Sequence, residues 1–405
     1  MRRHPATARG VAEPVNANAL AATGRPVRLA RGPTRHRRWR EVRRLLALRT
    51  DNLGDLLMTT PALAALREGL PRAHITLLGS PSSAAAASHL PMVDEVWTCR
   101  PPWMPGGDDA AESPGQAEQA LVERLAEGAF DAAAIFTVCT QSALPAALVC
   151  RMAGIGLRLA HCRENPYALL TDWVPDPDRV DDGMRHEVER QLALVAAIGC
   201  TTADDSLRFS VPAADRRRAQ VRLAAEGIDG ARPYVLLHPG ATAASRRWPA
   251  ERFGRVAATM AQCGWPAVLC GGSDDAPLLQ EARAAMVQLG AAPAPIVDGD
   301  LSLGELAALI EAAALLIANN SAPAHLAAAV GTPVIDLYAL TNPQHAPWRA
   351  HARVLSHDVP CRWCLKSVCP EGHHQCLRGV DEAAVIDAAQ TLLRESVDDG
   401  AAIVA

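Results

Sequence analysis

Aromatic residues make up only 4% of the 405-residue sequence, and no uninterrupted apolar run approaches the ~18 residues that argue for a membrane-spanning helix, so no transmembrane span is expected. A dominant charge of one sign is also missing. The 40 basic and 44 acidic residues leave a formal net charge of −4, which argues against a globally basic nucleic-acid binder. The arginines near the N-terminus are not followed by an apolar h-region, so no secretory signal is expected and the protein is placed in the cytoplasm. In that compartment the eleven cysteines fit reduced thiols or a metal site better than disulfides. What is present is a 49% hydrophobic composition with 21% charged residues. That excludes a fully disordered, collagen-like or disulfide-scaffold chain, and at about 150 residues per domain the length suggests two or three domains.

Residues 1–40 are expected as a disordered, Arg-rich tail. Twelve arginines lie between Arg2 and Arg44, against Glu13 and Glu41 alone, with no periodic apolar face. A second reading is a basic arm that touches anionic lipid at the inner membrane face. Beyond it, apolar runs at 45–48, 74–78, 93–98 and 132–138 predict strands. Helices are predicted at 120–126 and 144–152, and another from Thr60-Pro61, with Thr as cap and Pro in the first turn. The Pro- and Asp-rich stretch 172–182 predicts a loop, and 186–198 has helical spacing. A second series follows, with strands at 234–238, 267–270, 315–318 and 334–338. Its helices run from Pro249 to Gly264, behind a Ser302/Glu305 capping box, and over 324–330 to Gly331. Two consecutive α/β halves with parallel sheets result, here 41–210 and 211–395.

Ligands of such sheets bind beyond the carboxyl ends of the strands, and five segments stand at such points or nearby. The first is Arg49-Thr50-Asp51-Asn52-Leu53-Gly54-Asp55. A carboxylate at a strand-to-helix turn can accept a proton from a hydroxyl, Gly54 would let the backbone approach a ligand, and the alternative is a simple helix cap. No G-x-G-x-x-G dinucleotide fingerprint is present. The second runs from His238 to Pro249; Thr242, Arg246 and Arg247 suit a phosphate, against a solvated loop with a packing Trp248. The third, Gly271-Gly272-Ser273-Asp274-Asp275, offers carboxylates to ribose hydroxyls or an N-cap. The fourth, Asn319 to His325, places free amides at a helix N-terminus, a cradle for a diphosphate. The fifth contains Cys361, Cys364, Cys369 and Cys376, with His373 and His374. Only its C-x2-C is a familiar ligand spacing, so a structural zinc competes with buried thiols, and Trp363 and Lys366 could equally mark a packing lid.

Leu48 to Asp55 with Thr59-Thr60-Pro61-Ala62-Leu63 resembles the opening of glycosyltransferase family 9, the ADP-heptose:lipopolysaccharide heptosyltransferase family. Leu237-His238-Pro239-Gly240-Ala241 with Arg247-Trp248-Pro249, and Asn319 to Ala329 with Gly331-Thr332-Pro333-Val334, look like its second and third signatures. The resemblance spans about residues 43–395 and implies a GT-B fold: two Rossmann-like halves facing across a cleft, with the last helix returning to the first half. It implies inverting, metal-independent transfer from a nucleotide-sugar, ADP-heptose by family, to a hydroxyl of a lipopolysaccharide-type or other surface-glycan acceptor, with no cofactor required. Asp55 matches the catalytic base. Arg49, Asn52 and Gly54 would face the acceptor. Thr242, Arg246, Arg247, Gly271, Gly272, Asp274, Asn320, Ser321, Ala322 and His325 would hold the donor. An Asp at its usual pKa of about 4 is a weak base, so positioning must supply much of the rate. The family often has Asp-Thr-Gly where this chain has Asn320-Ser321-Ala322, which removes a carboxylate beside the donor. Two alternatives remain at this stage. One is a sugar-nucleotide epimerase using His238 and His325 as acid/base groups. The other is a non-catalytic binding protein that kept the fold.

Overall fold

The computed structural model describes residues 33–104, 115–181, 183–230 and 232–404. The first half comprises α1 (Pro33–Arg40), β1 (Arg44–Arg49), α2 (Leu53–Gly69), β2 (His74–Gly79), α3 (Pro81–Ala84), β3 (Glu95–Thr98), α4 (Gln116–Glu127), β4 (Ala132–Ile135), α5 (Leu144–Met152), β5 (Leu157–Cys162), β6 (Asp172–Pro175) and α6 (Glu187–Ala196). The second comprises α7 (Ala213–Ala225), β7 (Val235–His238), α8 (Ala250–Gln262), β8 (Ala267–Cys270), α9 (Ala276–Gln288), β9 (Ile296–Val297), α10 (Leu303–Ala312), β10 (Leu315–Asn319), α11 (Ala322–Val330), β11 (Val334–Leu337), β12 (Ala352–Leu355), α12 (Gln375–Arg378) and α13 (Glu382–Val404).

The strand pairs are parallel, and the two sheets share one plan: β3-β2-β1-β4-β5-β6 and β9-β8-β7-β10-β11-β12. Leu45 to Leu48 in β1 are buried on both faces, as a central parallel strand requires. In each sheet the winding direction reverses between two neighbours, β1/β4 in the first and β7/β10 in the second. A crevice opens at the carboxyl ends of those strands, and the β1–α2, β7–α8 and β10–α11 turns converge there.

Several expectations are corrected. Of the predicted 1–40 tail, residues 1–32 lie outside the described residues. Pro33–Arg40 is instead helical, and Trp39 is buried in the core. α2 starts at Leu53, so Pro61 sits inside it rather than at its start. Pro61 has no N–H for the Leu57 carbonyl, and Thr60 Oγ1 donates to that carbonyl instead at 2.6 Å. The predicted loop 172–182 begins as edge strand β6, where the missing donor of Pro175 is tolerated. The last helix does not return to the first half over its described side chains. Val385, Ala389, Leu392 and Leu393 form an apolar stripe at helical spacing. They pack with Phe253 and Val256 of α8 and Leu337 of β11, while Glu395 pairs with Arg353 of β12. Packing changes sides between α6, which lies on α2, and α7, which lies on α10. Among the described residues no helix is long and apolar enough to cross a membrane.

Candidate active site

A cavity of about 850 Å³ lies between the halves, walled by the β1–α2 turn on one side and by the β7–α8 and β10–α11 turns on the other. Asp55 stands in the first turn of α2, on this wall, with its side chain 13% exposed.

Beneath it, Arg49 closes β1 with no exposed surface. Its guanidinium reaches Glu187 Oε1 at 2.9 Å, Asp51 Oδ2 at 3.2 Å and Asp55 Oδ1 at 3.5 Å. Burial disfavours the Arg49 charge, but the three carboxylates outweigh it and raise its pKa. For Glu187 burial opposes ionisation, yet Arg49 and Arg190 win and hold its carboxyl below the usual range. Asp55 goes the other way. Burial pushes its pKa up and the Glu187 charge adds to this, against the pull of Arg49. The expected weak base is thereby strengthened, because the site is drier than an exposed turn. The pKa of Asp51 is raised by burial as well, and its Oδ1 accepts from Gln141 Nε2 at 2.6 Å.

His345 approaches Asp55 from the second half, Nε2 to Oδ1 at 3.9 Å. The Asn342 amide lies 3.2 Å from His345 Nδ1. If that amide donates, Nε2 carries the ring proton and faces Asp55. Burial lowers the pKa of His345 to about 4, so the ring is neutral near pH 7.

Opposite stands the anion side. Asn319, fully buried at the end of β10, accepts from Trp248 N at 2.9 Å and donates to the Pro239 carbonyl at 2.7 Å. One side chain thus fixes both ends of the β7–α8 turn. That turn presents exposed Thr242 and half-buried Arg246 to the cavity. α11 begins beside it with Ser321 as N-cap and no side-chain cap bond; Pro323 has no N–H and Ala324 N donates to the Ser321 carbonyl, so in the first turn it is the Ala322 amide that is left for an anion. Gly54 lines the cavity and also has a packing role. A Cβ there would stand 3.0 Å from His325 Cδ2, so the glycine lets the starts of α2 and α11 touch across the cavity floor. Burial lowers the pKa of His325 to about 3, and the ring is neutral.

The structure therefore gathers Asn52, Gly54, Asp55, Thr242, Arg246, Asn320, Ser321, Ala322 and His325 around one cavity. Arg49 lies behind its wall as a charge hub and does not face an acceptor. Arg247 is exposed and donates to the Ala241 carbonyl at 2.7 Å. Gly271, Gly272 and Asp274 are not on the wall; their turn is closed locally, with Gly272 N donating to Asp275 Oδ2 at 3.1 Å. Of the two readings of the cysteines, the geometry does not support a zinc cage. Among the described residues no group of three or more His, Cys, Asp or Glu side chains could hold a metal ion, and Cys361 Sγ faces His373 Nε2 at 3.6 Å. His238 is buried and off the wall, which removes it as an epimerase acid/base group.

Sequence reasoning missed Glu187, Gln141, His345 and Asp336. Asp336, on β11, accepts from Asn320 Nδ2 at 2.9 Å. The carboxylate absent at position 320 thus stands one strand away, where burial pushes its pKa up to about 7. The signal for Glu187 was the uncompensated Arg49 at the end of an apolar run, since a buried guanidinium needs an acidic partner.

Residues 119–375 match the family described as "Glycosyltransferase family 9 (heptosyltransferase)". Lipopolysaccharide heptosyltransferase 2 of Escherichia coli (strain K12) is 27% identical over 361 residues, covering 86% of this chain and 98% of that protein. Lipopolysaccharide heptosyltransferase 3 of Escherichia coli is 26% identical over 305 residues, 73% of this chain and 83% of that one. Among solved structures, the glycosyl transferase family 9 from Veillonella parvula DSM 2008 aligns with a TM-score of 0.71 at 25% identity, over 87% of this chain and 98% of that one. The fold is shared with E. coli ADP-heptose lps heptosyltransferase II, at a TM-score of 0.67 and 24% identity over 87% and 99%. Two parallel Rossmann-like sheets facing one cavity, with this family match over more than half of the chain, make the protein a glycosyltransferase of the GT-B fold that belongs to glycosyltransferase family 9.

Proposed function

We propose that the protein transfers a heptose from ADP-heptose to a hydroxyl of a lipopolysaccharide-type acceptor, with inversion at the anomeric carbon and Asp55 as base. The observation that carries this reading is the placement of Asp55 across the cavity from Arg246 and the N-terminus of α11. The acceptor hydroxyl gives its proton to Asp55 as its oxygen attacks the anomeric carbon in line. The bond to the diphosphate breaks on the opposite face, and its electron pair leaves with the nucleotide. Arg246, the Thr242 hydroxyl and the Ala322 amide at the start of α11 receive the developing charge. Neutral His345 stabilises the ionised Asp55 through Nε2–H without competing for the proton. Burial raises the pKa of Asp55 and so strengthens it as a base, while the Arg49 charge opposes that rise. A lipid-linked acceptor places this chemistry at the cytoplasmic surface of a membrane.

The test is to incubate the protein with ADP-heptose and heptose-deficient lipopolysaccharide and follow the acceptor by mass spectrometry. A gain of one heptose residue with stoichiometric ADP release is expected. ADP-heptose turnover without any acceptor mass gain refutes the reading.

A further inference from the structure

Lys366 is the one lysine in the 405-residue sequence; every other basic side chain of the forty is an arginine. It stands on the cavity wall. It belongs to segment 361–376, to which the proposed transfer gives no role. That segment is fastened to the donor half beside the anion site. The Lys366 carbonyl accepts from Ser245 Oγ at 2.7 Å and the Ser367 carbonyl from Ser245 N at 3.0 Å. Ser245 directly precedes Arg246. On the other side, Trp363 N donates to the Leu340 carbonyl at 2.7 Å and Leu365 N to the Thr341 carbonyl at 2.8 Å. Trp363 and Leu365 take left-handed backbone conformations, φ +62° and +55°, which non-glycine residues seldom adopt without support. The four hydrogen bonds supply that support and fix where the segment crosses the cavity.

The charge pattern indicates what Lys366 faces. The acids on the wall, Asp51 and Asp55, are engaged by Arg49. Among the described residues, neither Arg246 nor Lys366 has an ion-pair or side-chain hydrogen-bond partner. The donor half therefore offers two cations without a direct ion-pair partner among the described residues, carried on adjoining, mutually hydrogen-bonded backbone. A nucleoside diphosphate has anionic oxygens on both phosphorus atoms and gains a further charge as the glycosidic bond breaks. One guanidinium cannot neutralise both phosphates.

We propose that Lys366 is a second cationic ligand of the donor diphosphate, sharing it with Arg246, and that segment 361–376 is the strap that delivers it. This rests on the donor reading above and extends it to a residue outside the three sequence signatures. The strap also gives Trp363 and Leu365 a reason to hold their unfavourable backbone.

The uniqueness of Lys366 allows a direct test on the wild-type protein. Reductive methylation with formaldehyde and cyanoborohydride, read by peptide mass spectrometry, modifies Lys366 and the terminal amine alone. Saturating ADP is expected to slow methylation of Lys366 by about ten-fold or more and to leave the terminal amine unaffected. By calorimetry Lys366→Gln is expected to weaken ADP binding by about ten-fold, with Lys366→Arg recovering most of that loss, on the scale of one charge-assisted hydrogen bond. Unprotected Lys366 in a protein that binds ADP overturns the inference and leaves the donor reading standing. Protection by a phosphorylated acceptor glycan but not by ADP also overturns it, moving Lys366 to the acceptor side. A wild-type protein that binds no ADP overturns the donor reading itself.

Discussion

Asp336→Asn is expected to stabilise the protein increasingly as pH rises from about 4 to about 7, and to leave it unchanged below about pH 4. Asp336 has no exposed surface, and only one of its oxygens has a partner, Asn320 Nδ2; the other is buried without one. Burial raises the carboxyl from 3.8 to about 7, against the opposing pull of the Asn320 amide and the Arg246 charge. The folded state thus holds this proton more tightly than the unfolded chain does. Its contribution is fully present below about pH 4 and is lost as pH rises through about 7. Three units at about 1.4 kcal/mol each set an upper scale of about 4 kcal/mol. Asn keeps an acceptor for the Asn320 amide and never ionises. The assay is urea unfolding of both proteins at pH 5, 6, 7 and 8, read as the difference between them, so that carboxylates common to both cancel. The wild type should lose about 1 kcal/mol per pH unit relative to the variant between pH 5 and 7. A difference that stays constant with pH refutes the assignment of a buried, largely protonated carboxyl.

Arg246→Ala should weaken ADP binding by about 1.5–3 kcal/mol, as for a hydrogen bond to a charged group, measured by calorimetry. Arg49→Met should destabilise the fold by about 3–5 kcal/mol in chemical denaturation, because Glu187, Asp51 and Asp55 would be left as buried carboxylates without their common cation. Lys366→Gln should reduce ADP affinity while Lys366→Arg retains most of it, as set out above.

The parts of the fold readable in the sequence are those where one chain segment carries its own reason. Residues 45–48, 267–270 and 315–318 are short apolar runs because central parallel strands are buried on both faces. The Ser302/Glu305 box is a local exchange of hydrogen bonds, and it forms as predicted. Pro61 misled because its compensation is a side-chain bond from Thr60, invisible to helix-start rules. β6 hid behind Asp and Pro, which an edge strand tolerates, and β9 is too short to show alternation. The site follows the same logic. Asn52 to Asp55, Thr242 to Arg246 and Asn320 to His325 are contiguous strand-to-helix turns and could be picked out. The groups that tune Asp55 could not, since Glu187 is 138 positions from Arg49 and His345 arrives on a loop of the other half. Asp336 looked like an ordinary strand residue; the register of β11 sets it opposite Ala318, from where its carboxyl reaches the Asn320 amide two residues on.

The most direct test of the account is a paired measurement on Asp55→Asn: single-turnover sugar transfer and ADP affinity on the same preparation. Removal of the base should lower the transfer rate by about 100-fold or more, with ADP affinity unchanged within about three-fold. Transfer at near wild-type rate by a variant that binds ADP normally would contradict the central claim that Asp55 takes the acceptor's proton.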